Sequence, residues 1–235
     1  MRHALGLLGS ALLGLYGVTA LESNAHAQET YFRTPVPAPS RAFELQLSAG
    51  YTQGFGNIFP SHAINDVAGA GLGITAALGY RYTPRISFEA EGQYQAFASE
   101  NFGTSQGVDL NVGVTLHGAP YHRGDPWLRL ATGYRWLWLS NAIPGPFVGG
   151  AFTDNVGFSG WDVINARVGI DIRSSGGVAW APFLGANLQT FLWANSTALS
   201  TVQWGTFLYA GLQARFDAGG GRTNVASARS GSSAE

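Results

Sequence analysis

The stretch that decides the fold lies near the end of the chain, where Trp204 to Phe216 reads WGTFLYAGLQARF. One face of this stretch is apolar and consists of Leu208, Ala210, Leu212, Ala214 and Phe216. The opposite face consists of Tyr209, Gly211, Gln213 and Arg215. Strict alternation with a period of two over this length predicts a half-buried β-strand rather than a helix.

Seven earlier segments show the same alternation, so the chain is predicted to be all-β with eight strands. The predicted strands cover residues 42–51, 70–82, 86–97, 108–117, 127–139, 161–173, 179–193 and 204–216. Pro182 is expected to leave the start of the seventh strand unpaired or at an edge, because proline lacks the backbone donor.

The lengths of the connections alternate along the chain. Those after strands 2, 4 and 6 are short, and Thr83-Pro84-Arg85 is predicted to be a tight turn. Those after strands 1, 3, 5 and 7 are longer. This pattern is typical of a transmembrane barrel with short periplasmic turns and long outer loops, whose closed wall leaves no free edge and favours a monomer.

The composition limits the function classes. Only 11% of the 235 residues are charged, the formal net charge is −1, and there is no cysteine. A surface so poor in charge is hard to keep soluble unless something other than water covers part of it. The charge gives no case for nucleic-acid binding, and the missing cysteines exclude disulfides and thiolate chemistry.

The N-terminus predicts export. A basic start, a short apolar run from Leu5 to Val18 and the pattern Ala25-His26-Ala27 indicate a secretory signal peptide over residues 1–27. Val18-Thr19-Ala20 is an alternative cleavage pattern. Residues 28–41 are Pro-rich and are predicted to form an extended, unpaired periplasmic linker. The barrel is assigned to residues 42–216, and the Gly/Ser-rich tail 217–235 is predicted to be disordered.

Alternation alone fits two barrels: a secreted lipocalin-type barrel with an apolar interior, and a membrane barrel with a polar interior. Glycines on the polar face favour the membrane barrel, because an eight-stranded interior has little room. Aromatic residues at strand ends favour it too, because they would form belts at the two membrane interfaces. The predicted belts consist of Tyr51, Tyr94, Trp136, Trp138, Trp161, Trp193 and Trp204 at the loop end, and of Tyr80, Tyr82, Trp127, Trp180 and Phe216 at the turn end.

Charged residues on the polar face are predicted to form a network in the barrel lumen. Its members are Glu44, Arg81, Glu89, Glu91, Asp109, Arg129, Arg135, Arg167, Asp171, Arg173 and Arg215. Six arginines against five acids allow nearly all of them to pair, and an unpaired charge in a narrow lumen would be costly. Asp109 is placed nearest the outer rim. The network either holds a closed barrel together or lines an ion path.

Two segments carry a resemblance to bacterial outer-membrane barrels. Tyr209 to Phe216 resembles the terminal signal that the barrel-assembly machinery recognises. Pro126 to Arg135, PWLRLATGYR, is similar to strands of the small barrel family that includes the transmembrane domain of outer-membrane protein A. The resemblance implies a structural or porin-like protein without cofactor, located in the outer membrane among phospholipids and lipopolysaccharide. In that family, luminal Arg–carboxylate pairs plug or gate the pore. The tail after Phe216 departs from the family pattern.

Other functions are weaker alternatives. The outer loops could bind a surface partner through Phe55, Ile58, Phe59, Phe147 and Phe152, or these side chains could pack within their own loops. Ser61-His62 is the one candidate for the lipid A chemistry of some related barrels, and it has no evident orienting residue. The scattered histidines, including His117 and His122 at the periplasmic end, give no metal-binding pattern.

Overall fold

The computed structural model of the protein describes residues 31–59, 62–98, 102–142, 156–175, 177–194 and 202–221. Ser61, Phe147 and Phe152 lie outside these ranges, as do the predicted signal peptide and most of the predicted tail. Eight long strands dominate: β1 Ala42–Phe59, β2 Ala70–Thr83, β3 Ile86–Ala98, β4 Phe102–His117, β5 Gly124–Ala142, β6 Val156–Arg173, β7 Val178–Phe191 and β8 Gln203–Ala218.

The eight strands close into a barrel. Each strand pairs antiparallel with the next along the chain, and β8 pairs with β1 from Phe43↔Ala218 to Gly56↔Gly205. The predicted up-and-down antiparallel barrel is therefore confirmed. One short helix, α1 (Ile64–Val67), lies in the first long loop beside a two-residue strand, His62–Ala63. None of the described helices has the length and hydropathy needed to cross a membrane.

The two ends of the barrel differ. We call the end with the β2–β3, β4–β5 and β6–β7 connections the turn end, and the other the loop end. The predicted turn at Pro84 and Arg85 is present, and the Thr83 hydroxyl accepts hydrogen bonds from the amides of Arg85 (3.2 Å) and Ile86 (3.1 Å). Turn-end bounds were predicted within three residues. Three loop-end bounds were missed by more than that, since β1 continues to Phe59, β4 begins at Phe102 and β6 begins at Val156.

Strand β6 changes face at a bulge. Val163 and Ile164 are both exposed, and the register with β7 shifts between Asp162 and Ile164. The bulge puts Asp162 inside and Trp161 outside, whereas unbroken alternation from Asn165 had placed Asp162 on the outer face. A bulge inserts one residue into a strand, and the residue types around Asp162 do not mark where that insertion lies.

Two predictions about single residues are wrong. The start of β7 is neither unpaired nor at an edge, because Ala179 and Trp180 pair with both neighbouring strands and Pro182 pairs with Leu212 of β8. The Pro182 ring is tolerated because the ladder to β6 is interrupted there, between the pairs Gly169↔Phe183 and Ile172↔Trp180. Trp127 was assigned to the turn-end belt, but it points inward and is 4% exposed.

The segment before β1 crosses the turn end of the barrel. The amides of Val36 and Ala38 donate to the carbonyls of Tyr121 (3.2 Å) and Pro120 (2.6 Å) in the β4–β5 turn. Because β1 and β5 are four strands apart in an eight-stranded ring, this segment spans the opening. It is extended as predicted, but it is hydrogen-bonded rather than unpaired. We call residues 34–40 the strap.

Candidate functional site

The lumen holds every member of the predicted charge network. All eleven side chains point inward and are buried. Sequence reasoning missed four further groups that join them: His117, Asp125, Asp162 and Asp217. The described lumen therefore contains eight acids against six arginines, not five against six.

The first group of ion pairs lies at the turn end, beneath the strap. Arg173 contacts Asp125 (2.6 Å), and Arg215 contacts Asp171 (2.7 Å). His117 lies between them, with its Nδ1 2.8 Å from Asp125 and its Nε2 3.2 Å from Arg215. Arg81 pairs with Glu44 at 2.5 Å on the neighbouring wall. Cations and anions alternate around this opening, so each charge has an opposite neighbour.

The second group fills the middle of the barrel. Arg167 binds both carboxylate oxygens of Glu91, at 2.9 and 2.7 Å. Arg129 contacts the same carboxylate and also Glu89, at 3.3 Å. Glu89 in turn accepts a hydrogen bond from the Thr115 hydroxyl. Two arginines and two glutamates from three walls thus bridge the lumen, and such bidentate pairs fix geometry as well as charge.

The third group lies toward the loop end. Arg135 binds both oxygens of Asp109 and donates from Nη2 to the Tyr209 hydroxyl at 2.6 Å. Asp109 pairs with Arg135 in the strand register, so the two residues lie at the same level toward the loop end. Asp162 accepts from the amides of Asn165 (3.2 Å) and Asn187 (3.1 Å) instead of from an arginine.

Apolar side chains fill the lumen above these ion pairs. The Phe97 and Phe207 rings lie 5.5 Å apart, and Arg135 stacks on Phe207 with its guanidinium carbon 4.1 Å from the ring centroid. Helix α1 adds Ile64, which is fully buried. We call this set the apolar plug, and its members are Ile58, Ile64, Ala68, Phe97, Leu137, Leu139, Val156, Phe158, Phe191 and Phe207.

Inward glycines make room for these large side chains. A Cβ at Gly205 would lie 2.3 Å from Ile64, and one at Gly185 would lie 2.7 Å from Arg167. At Gly169 it would lie 2.5 Å from the Trp127 ring. The prediction that the glycine-rich face needs small residues because it faces a crowded lumen is consistent with these contacts.

The four residues missing from the predicted network differ in how clearly the alternation in the sequence indicates them. Asp125 continues the alternation of Trp127 and Arg129 and could have been found by extending β5 backward. Asp217 continues β8 beyond Phe216 in the same way. Asp162 was hidden by the bulge. His117 had been placed on the inward face and at the turn end, but its position between Asp125 and Arg215 required the three-dimensional register.

His117, Asp125 and Asp171 bring ligand atoms within 4.8 Å of one another, which is close enough for a metal ion. Arg173 and Arg215 already contact the two carboxylates, and Arg215 also contacts the imidazole. A cation would therefore have to displace guanidinium groups. This favours an ion-pair role for the three residues, and no metal centre is assigned to them.

The loop candidates are only partly described. Ile58 belongs to β1 and is fully buried in the apolar plug, so its assignment as an exposed loop residue is wrong. Phe55 is 43% exposed. The side chains of Phe59 and His62 lie outside the described part of the structure. His122 contacts the Arg33 carbonyl at 3.0 Å at the turn end.

The outer wall is apolar, with aromatic residues toward both ends. Tyr134 contacts Trp136 and Trp161, with ring centroids 4.7 and 5.6 Å apart. Nine of the predicted belt residues are exposed: Tyr51, Tyr82, Tyr94, Trp138, Trp161, Trp180, Trp193, Trp204 and Phe216. Trp127 is buried, and Tyr80 and Trp136 are half-buried, so the two belts are present with fewer exposed members than predicted.

No protein-family model and no curated protein sequence matches the chain. Solved structures do match. The crystal structure of Neisserial surface protein A has a TM-score of 0.52 at 12% identity, covering 74% of this chain and 96% of that one. The N-terminal β-barrel domain of OprF from Pseudomonas aeruginosa scores 0.40 at 12% identity, covering 76% and 98%. Ail, the attachment invasion locus protein of Yersinia pestis, scores 0.40 at 13% identity, covering 74% and 98%.

At these identities the likeness concerns fold alone. The chain's closed ring of eight antiparallel strands agrees with it. The protein therefore has the fold of the small bacterial outer-membrane β-barrels.

Proposed function

We propose that the mature protein is a sealed structural barrel of the bacterial outer membrane. Its apolar wall would contact lipid, with lipopolysaccharide at the loop end, and β8 would carry the signal for the assembly machinery. The observation that supports a sealed rather than a porin-like barrel is the filling of the lumen. Among the described residues, no ion-paired side chain in the lumen is more than 8% exposed, the plug covers the pairs at one end, and the strap crosses the other.

The filling argues against conduction on energetic grounds. An ion entering the lumen would have to break buried, bidentate Arg–carboxylate pairs, and removing one partner of such a pair costs about 3–5 kcal/mol. In the described part of the lumen the one hydroxyl that donates to a glutamate, that of Thr115 to Glu89, is fully buried, so the proposal includes no catalysis. The arginines and acids act as internal cross-links between strands.

Planar-bilayer recording tests this proposal. The wild-type protein is expected to give no conductance steps after insertion, whereas a porin-like barrel would give discrete steps. Insertion must be shown on the same sample by heat-modifiable gel mobility, since a barrel migrates differently before and after boiling. Regular steps from the folded wild-type protein would contradict the sealed barrel and restore the porin-like alternative.

A second role has one supporting observation. β1, β5 and β6 continue at the loop end beyond Tyr51, Trp138 and Trp161 of the belt. The wall would therefore rise above the membrane and hold the long loops away from it. A non-conducting barrel whose loops stand above the membrane is compatible with a surface-binding role, in which the barrel supplies rigidity and the loops supply contacts.

A further inference from the structure

We propose that a groove on the outer wall, at the turn end between β4 and β7, binds one anionic glycerophospholipid. An acyl chain would lie in the groove, and Arg85 and Arg123 would hold the phosphate. This inference rests on the proposed membrane location, because the turn end must face a phospholipid leaflet for the site to be filled.

The groove exists because the wall is thin at one place. Gly169 places no side chain between β6 and the inward Trp127 ring, and the β6–β7 ladder is interrupted beside Pro182. The groove has a volume of about 780 Å³, which lies in the range of small-molecule sites. Its outward walls are apolar and consist of Leu116, Pro126, Leu128, Val168, Ile170 and Leu184.

The groove also reaches inward. The Trp127 and Phe183 side chains, which belong to the lumen, form part of its lining. Two other grooves on the wall, between β1 and β4, are smaller at about 510 and 470 Å³. The turn-end groove is therefore a larger, open and almost wholly apolar depression, suited to a hydrocarbon chain.

The backbones of two arginines lie next to residues at the turn end of this groove. The carbonyl of Arg85 accepts from the amide of His117 (2.8 Å), and His117 lines the groove. The carbonyl of Arg123 accepts from the amide of Arg173 (2.9 Å), three residues after the lining residue Ile170. Arg85 is exposed, and the Tyr31 ring holds the half-buried Arg123 guanidinium at 4.3 Å.

The charges at this end are segregated between inside and outside. Among the described residues, the acids of the turn end are Glu44, Asp125, Asp171 and Asp217, and all four point into the lumen. No acid of the described residues forms an ion pair with Arg85 or Arg123. An apolar groove that ends at unopposed arginines is complementary to a lipid with an apolar chain and a net negative headgroup.

Native mass spectrometry of the refolded barrel tests the site. The protein in detergent is titrated with phosphatidylglycerol or with phosphatidylcholine of the same chains. One phosphatidylglycerol is expected to remain bound at concentrations where phosphatidylcholine does not. Exposed basic residues near a membrane contribute about fivefold each, so Arg85→Gln with Arg123→Gln should weaken binding roughly thirtyfold.

Two matched controls sharpen the test. Arg41→Gln removes the same charge at the turn end beside β1, across the barrel from the groove, and should leave affinity unchanged. Val168→Trp should fill the groove and abolish binding, whereas Leu72→Trp on the wall of β2 should not. Equal binding of both lipids, or an equal loss with Arg41→Gln, would overturn the proposal.

Failure of this site is distinguishable from failure of the membrane barrel. If the protein shows heat-modifiable mobility and binds no phosphatidylglycerol selectively, only the lipid site is wrong. If it shows no heat-modifiable mobility and stays soluble without detergent, the membrane barrel itself is wrong, and the lipid site falls with it.

Discussion

Replacing Arg135 by methionine is expected to lower the free energy of unfolding by about 3–5 kcal/mol, as for a broken buried ion pair. Arg135 binds both oxygens of Asp109, donates to the Tyr209 hydroxyl and stacks on Phe207. Without Arg135, Asp109 stays buried with no paired cation. The nearby Asp162 loses its attraction to the same guanidinium charge. Urea unfolding in lipid vesicles, followed by tryptophan fluorescence, measures the loss.

Two variants separate this mechanism from a loss of packing. Adding Asp109→Asn to Arg135→Met should recover much of the stability, because the double variant leaves no unpaired carboxylate at position 109. Arg41→Met removes an exposed arginine and should change the free energy of unfolding by less than about 0.5 kcal/mol. A loss below about 1 kcal/mol for Arg135→Met alone would show that the lumen pairs contribute little.

Replacing Gly160 by alanine is the second change with a large expected effect. A Cβ at Gly160 would lie 1.6 Å from the Thr190 carbonyl oxygen of β7. The clash is with backbone rather than with a flexible side chain, so β6 and β7 must separate locally. We expect a loss of about 3 kcal/mol or more, at the upper end of overpacking effects.

Gly92→Ala is the matched control, because the nearest atom to its Cβ is Leu110 Cδ2 at an ordinary 3.6 Å. Alanine there should stabilise the strand by about 0.5 kcal/mol, since glycine is unfavourable inside a strand. The same urea titration compares the two variants. Equal tolerance of both alanines would contradict the close approach of β6 and β7.

The alternation in the sequence predicted the strands and their faces well, because a barrel wall separates two environments at every residue. The eleven charged residues of the predicted network all face the lumen for that reason. The turn ends were accurate because proline and glycine mark them, as at Pro84. Three of the loop ends were not, since β1, β4 and β6 extend beyond the predicted bounds, where the contrast between lipid and lumen becomes weaker.

Other features depend on contacts between distant residues. The bulge at Asp162 reverses the faces of β6 without any mark in composition. The strap was predicted to be unpaired because prolines disfavour ladders, but its partners, Tyr121 and Pro120, are far away in the chain. Ile64 joins the plug only because Gly54 and Gly205, on two neighbouring strands, leave space for it. None of these contacts follows from local periodicity.

Closure of the barrel between β1 and β8 is the claim on which the sealed lumen depends, and a disulfide cross-link tests it most directly. The protein has no cysteine, so a pair introduced by Ala49→Cys and Leu212→Cys is the only one present. These residues are register partners, and partners on adjacent strands have Cα separations that a disulfide can bridge.

The control pair is Ala49→Cys with Leu208→Cys, because Leu208 is the register partner of Gln53 and lies roughly 13 Å further along β8. In membrane-inserted protein, oxidation is expected to cross-link the Ala49/Leu212 pair nearly completely and the control pair hardly at all. Equal cross-linking of both pairs, or none of Ala49/Leu212 in the folded protein, would contradict the closed barrel.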